Sequence, residues 1–186
     1  MLKRLLALVS VLLLAACATP PAINVSDAGS AFQRTGRFAV SVDEVGNASQ
    51  AVQGGFAWYD TGTHLILDLA NPLGSTLARI EVFPGRAQLT RSDGSVQSAS
   101  GADALVEQVV GAAVPVTGLR AWLKGHVNRS QVASLQTHSD TTVSRFEQDG
   151  WSVVLSRYDE KGPRVLQLVR KEGLRTISVR LVVDAS

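Results

Sequence analysis

The sequence predicts a mainly β (α+β) domain: an incomplete antiparallel β-barrel of about 10–11 strands with a helical lid over an apolar interior. Three observations carry this. Apolar and polar residues alternate in many short segments between residues 34 and 83, and again between 151 and 183. Between the two sets the apolar period lengthens to that of a helix. A sheet of so many strands coils strongly, which leaves two short helices to cover its mouth.

The chain opens with Lys3 and Arg4, an apolar run from Leu5 to Leu14, and then Ala15-Ala16-Cys17. A charged start, a short apolar run and small residues make a secretory leader. The cysteine directly after them makes it a bacterial lipoprotein leader, because its thiol receives the diacylglyceryl group. The competing reading is an ordinary leader followed by a chance cysteine. The apolar run is about half of the roughly 20 residues that a membrane span needs, and Thr19-Pro20-Pro21 does not continue a helix. Residues 1–16 are therefore expected to be removed and Cys17 to become the lipidated N-terminus. Stable anchoring takes more than one acyl chain, which this modification supplies. Ala18 stands where an aspartate would retain the protein at the inner membrane, which points to the outer membrane. Residues 17–33, rich in Ala, Pro, Ser and Asn, read as the lipidated N-terminus and a tether. Residues 34–186 read as one domain.

The elements follow in order. Phe38, Val40 and Val42 share a strand face, then Phe56 and Trp58, then Leu65, Leu67 and Leu69, then Ile80 and Val82. Asp60-Thr61-Gly62, Phe83-Pro84-Gly85 and Ser92-Asp93-Gly94 mark turns. Ala104, Leu105, Val106, Val109 and Val110 form a helical stripe that Gly111 ends. Pro115 starts a second helical segment with Leu119, Trp122 and Leu123 on one face, and Gly125 closes it. Strands resume with Trp151, Val153 and Leu155, then Leu166 and Leu168, then Ile177, Val179, Leu181 and Val183.

Composition narrows the function classes. Lys3 and Arg4 account for the whole formal excess of +2, so the chain without residues 1–16 carries 16 basic and 16 acidic residues. That balance gives no footprint for nucleic acid. The single cysteine excludes a disulfide framework. There is no Gly-x-Ser-x-Gly elbow and no phosphate-binding glycine loop. His64, His126 and His138 lack ligand spacing. No catalytic residue, metal or cofactor is expected. His64 reads as solvated beside a turn, and Asp43-Glu44 and Asp159-Glu160 read as surface charges in turns.

One segment stands apart. Asn71-Pro72-Leu73-Gly74-Ser75-Thr76 joins two strands, with Pro72 and Gly74 in turn roles. Leu73 does not belong at a polar tip: it either folds back onto the sheet or is held out for a lipid interface. The concave face leaves two readings as well, a packed core or a cavity for a greasy ligand.

At this point the chain resembles the LolB family of outer-membrane lipoprotein receptors. The resemblance lies in the leader ending at Cys17, Thr35-Gly36-Arg37-Phe38-Ala39, Gly55-Phe56-Ala57-Trp58 and Asn71-Pro72-Leu73-Gly74-Ser75-Thr76. It continues in Pro115-Val116 and Leu119-Arg120-Ala121-Trp122-Leu123-Lys124-Gly125. It implies an open barrel that accepts acylated lipoproteins from the periplasmic carrier LolA and inserts them into the inner leaflet of the outer membrane, without a nucleotide. It implies that Leu73, with Pro72 and Gly74, is the membrane insertion loop. The expected acyl-chain cavity is lined by Phe38, Val40, Phe56, Trp58, Leu65, Leu67 and Ile80. Leu119, Trp122 and Leu123 are expected on the inner face of the lid. A monomer is expected. The alternative is a structural or assembly lipoprotein of an outer-membrane machine, with a filled core.

Overall fold

The computed structural model describes residues 31–185; Cys17, the leader and most of the tether lie outside the described residues. Eleven strands form one antiparallel sheet, interrupted once by two helices. The first set is β1 (Phe32–Glu44), β2 (Gln50–Asp60), β3 (Leu65–Ala70), β4 (Thr76–Phe83), β5 (Arg86–Arg91) and β6 (Val96–Ala99). The helices are α1 (Ala102–Val110) and α2 (Val116–Trp122). The second set is β7 (Ala133–Thr137), β8 (Val143–Gln148), β9 (Trp151–Asp159), β10 (Gly162–Glu172) and β11 (Arg175–Val183).

The spatial order is β6-β5-β4-β3-β2-β1-β11-β10-β9-β8-β7. Every neighbour is joined by a turn except β1 and β11, which pair the two ends of the domain through Phe38 with Leu181 and Val40 with Val179. Edge strands β6 and β7 do not pair, so the barrel stays open along that seam. The helices are the connection across it.

Strand directions alternate, so the turns fall on two rims. The base rim holds the start of β1 at Phe32 and the turns at 61–64, 84–85, 138–142 and 160–161. The tip rim holds the turns at 45–49, 71–75, 92–95, 149–150 and 173–174.

Period-two patterning builds the inner face. In β1, Arg34, Gly36, Phe38 and Val40 are buried while Gln33, Thr35, Arg37 and Ala39 are exposed. Two glycines are part of the packing. In register, Gly36 faces Phe56 and Gly54 faces Phe38. A Cβ at Gly36 would lie 2.9 Å from Phe56 Cε1, and one at Gly54 would lie 3.0 Å from Phe38 Cε1. Each phenyl ring therefore covers the glycine across from it, the device by which aromatic rings compensate glycine in sheets.

In α1, Ala102, Leu105, Val106 and Val110 form the buried stripe, and Gly111 ends the helix at φ 76° by donating its N–H to the Glu107 carbonyl. The helix packs on β4, β5 and β6 and on α2. In α2 the buried residues are Val116, Leu119 and Trp122.

Three expectations are corrected. His64 is only partly solvated: its side chain is 30% exposed, its ring stacks on Phe83 with centroids 4.3 Å apart, and Nε2 lies 3.4 Å from Glu81 Oε1. Asp159 is not a free surface charge at a turn. It ends β9 and accepts two hydrogen bonds from Arg34, both 2.7 Å, and others from the backbone N–H of Lys161 and Gly162. Asp43 and Glu44 belong to the end of β1 rather than to the turn after it.

Candidate functional site: an apolar space beneath two helices

Between the inner face of the sheet and the helices lies an apolar space of about 40 Å³. That is room for a few water molecules at most. Of the residues expected to line a cavity, Phe38, Val40, Phe56, Trp58 and Leu67 border it. Leu65 and Ile80 do not, although both are fully buried. Leu65 faces Asp60 at the base rim, and Ile80 belongs to β4, on which α1 packs. Of the three lid residues, Leu119 and Leu123 border the space. Trp122 turns away, its ring 5.4 Å from Phe146 and its indole N–H donating to Gln148 Oε1 at 3.2 Å.

Sequence reasoning missed half the wall. Leu69, Val179 and Leu181 lie on strand faces whose alternation was legible, and Val106 and Val110 on a legible helical stripe. Val114 and Val116 flank Pro115 and gave no periodic signal. What sequence does not show is which part of a continuous apolar face the helices leave uncovered.

The two helices are fastened differently. Arg120 donates to Asp60 from Nε at 2.9 Å and from Nη2 at 2.6 Å, and Nη2 also donates to the Gly62 carbonyl at 2.7 Å. Lys124 Nζ lies 3.6 Å from Asp60. Burial would raise the Asp60 carboxyl, but the Arg120 hydrogen bond, the Gly62 N–H and the charges of Arg120 and Lys124 outweigh it and hold it below its ordinary value. Thus α2 is bolted to β2 by ions and to β8 by Trp122. The polar ties of α1 are long and exposed: Arg91 to Gln108 at 3.4 Å, and the Thr117 N–H to Asp103 at 3.3 Å.

The segment carrying Pro72, Leu73 and Gly74 is a tight turn on the tip rim. Asn71 Oδ1 accepts from the backbone N–H of Leu73 at 2.9 Å and of Ser75 at 3.0 Å. The Asn71 N–H donates to Ser75 O, the Gly74 N–H donates to Asn71 O, and Gly74 sits at φ 89°. Inside this frame Leu73 is 92% exposed. The leucine is held out by four hydrogen bonds and does not fold back on the sheet. Among the described residues no group of three or more His, Cys, Asp or Glu is placed to hold a metal.

The family model described as outer membrane lipoprotein LolB matches residues 30–185. The chain is similar to the outer-membrane lipoprotein LolB of Bordetella petrii, 51% identical over 92% of this chain and 87% of that one. It is also similar to LolB of Bordetella pertussis, 48% identical over 91% and 86%, and to LolB of Cupriavidus necator, 34% identical over 93% and 90%. Among solved structures, a LolA superfamily protein from Nitrosomonas europaea aligns with TM-score 0.46 and 11% identity over 83% of this chain and 87% of that one.

Proposed function

The chain belongs to the LolB family of outer membrane lipoproteins, and on that premise we propose that it takes acylated lipoproteins from the soluble carrier LolA and passes them into the outer membrane. Cys17 is its own lipid anchor in the inner leaflet, and the domain faces the periplasm as a monomer. No catalytic step is part of this reading: cargo moves by relative affinity, first to the receptor and then to the bilayer.

The physical reason is the cargo. Acyl chains in water cost roughly 25 cal/mol per Å² of exposed apolar surface. A receptor must shield them without selecting their protein. An apolar wall does that, since hydrophobic contact is non-directional.

The observation that carries the reading is the apolar space under the helices of a sheet whose edges do not pair. At about 40 Å³ it does not admit an acyl chain as it stands, so a helix must move. We assign the movement to α1. Gly101 and Gly111 flank it, its polar ties are long and exposed, and its apolar stripe, now packed on β4, β5 and β6, would close on acyl chains instead. A filled interior alone suits an assembly lipoprotein equally well; the loose fastening of α1 beside a bolted α2 favours the receptor.

The test is cargo transfer. The chain with Cys17→Ala, which takes no lipid, should strip an acylated lipoprotein from the carrier. Cargo that stays on the carrier in the presence of excess folded receptor would reject the reading.

A further inference from the structure

We propose that Val45 and Leu174 form a second membrane contact on the tip rim, beside the Leu73 turn; this rests on the delivery reading above. Five large apolar side chains are exposed among the described residues: Leu73 at 92%, Val45 at 74%, Leu174 at 71%, Val96 at 54% and Val182 at 38%. The first four all sit at or next to turns of the tip rim. Val182 lies on the outer face of β11. The base-rim turns carry polar residues, glycine and proline instead, among them Thr61-Gly62-Thr63, Pro84-Gly85 and Glu160-Lys161. The domain is therefore apolar at one pole.

Val45 and Leu174 belong to different hairpins but are tied together. The Val45 N–H donates to the Leu174 carbonyl at 3.2 Å, which continues the β1–β11 register past Glu44 and Arg175. These hairpins are built from the long strands β1, β2, β10 and β11, so the paired tips stand at the far end of the sheet.

The shape selects the partner. Val45 and Leu174 each stand singly on a hairpin tip, which fits a fluid apolar phase, and the groove beside the Leu73 turn, lined by Asn71, Pro72 and Gly74, includes neither. The neighbouring charges balance, Asp43, Glu44 and Glu172 against Arg170, Lys171 and Arg175, so attraction to anionic headgroups does not carry the contact. A single point at Leu73 would leave the domain free to tilt. The Val45–Leu174 pair is a second point, on hairpins separate from that of Leu73. The pair therefore limits the tilt of the domain on the bilayer.

The experiment uses the mature lipidated chain in vesicles of phosphatidylethanolamine and phosphatidylglycerol. Lipidation occupies the one native thiol, so an introduced cysteine is the sole labelling site. Fluorophores are placed at Val45→Cys, Leu174→Cys, Leu73→Cys and, on the base rim, Lys161→Cys. A phospholipid carrying a nitroxide near its headgroup should quench positions 45, 174 and 73 by about twofold or more, the depth of an interfacial contact, and leave 161 unquenched. Quenching at 73 with 45 and 174 no different from 161 would overturn the second contact and spare the role of Leu73. No quenching at 45, 174 or 73 would overturn both.

Discussion

Asp60 and Arg120 are joined by two hydrogen bonds of 2.9 and 2.6 Å, and through them the base of β2 holds α2 in place. Asp60 is buried, while Arg120 is partly open to solvent. Removing one partner of a fully buried pair costs about 3–5 kcal/mol. Here Lys124 and the Gly62 N–H remain beside the carboxylate, so Arg120→Ala should cost about 1–3 kcal/mol, read as a lower urea midpoint. It should also raise binding of an apolar dye as α2 loosens. An unchanged midpoint with unchanged dye binding would mean that the pair does not fasten the helix.

Leu73→Glu should leave stability within about 0.5 kcal/mol of the parent, because the side chain is almost wholly exposed. Cargo acceptance from the carrier should persist, and delivery to liposomes should fall at least severalfold. Equal delivery by variant and parent removes the role given to this turn.

Asn71→Ala keeps Leu73 but removes the acceptor of two backbone N–H groups. The cost is about 0.5–1.5 kcal/mol for each lost hydrogen bond, limited here because water can replace them. If a rigid tip matters, delivery should drop although the leucine is present. Delivery at the parent rate would show that exposure alone suffices.

Acid should unfold the domain through its ion pairs. The Arg34 hydrogen bonds, opposed by burial and helped by the Lys161 and Gly162 N–H groups and the Arg34 charge, hold the Asp159 carboxyl well below its ordinary range. Asp60 is also lowered. A carboxyl that titrates lower in the folded chain stabilises it above the unfolded value, near pH 4. That contribution is lost as pH falls through this value toward the folded one. The urea midpoint should therefore drop steeply below about pH 4, and less steeply in Asp159→Asn. Parallel curves for the two chains would contradict the assignment.

Gly36→Ala puts a methyl group into the Val182 carbonyl and against Phe56. The β1–β11 pairing has to shift, with a cost of about 1–3 kcal/mol visible as a lower melting temperature. A neutral result would show that the sheet seam yields more easily than its register suggests.

The strands with one buried face were legible because burial repeats every second residue, as in Phe38 and Val40 or Trp151, Val153 and Leu155. β7 was not, since it is exposed almost throughout. β8 was not either: its buried residues Val143 and Phe146 are three apart, and the β7–β8 register shifts twice. Leu73 stood out in the sequence as an apolar residue between turn formers. The ion pairs of Arg34 with Asp159 and Asp60 with Arg120 did not, because their partners are 125 and 60 residues apart.

Phe32 begins β1 on the base rim, while Leu73 sits on the opposite one. A 13-residue strand is about 43 Å long. On the delivery reading proposed above, a Leu73 turn resting on the bilayer would put the first residue of β1 at the distal pole, and a chain rising from the membrane would have to pass the height of the sheet before folding into it.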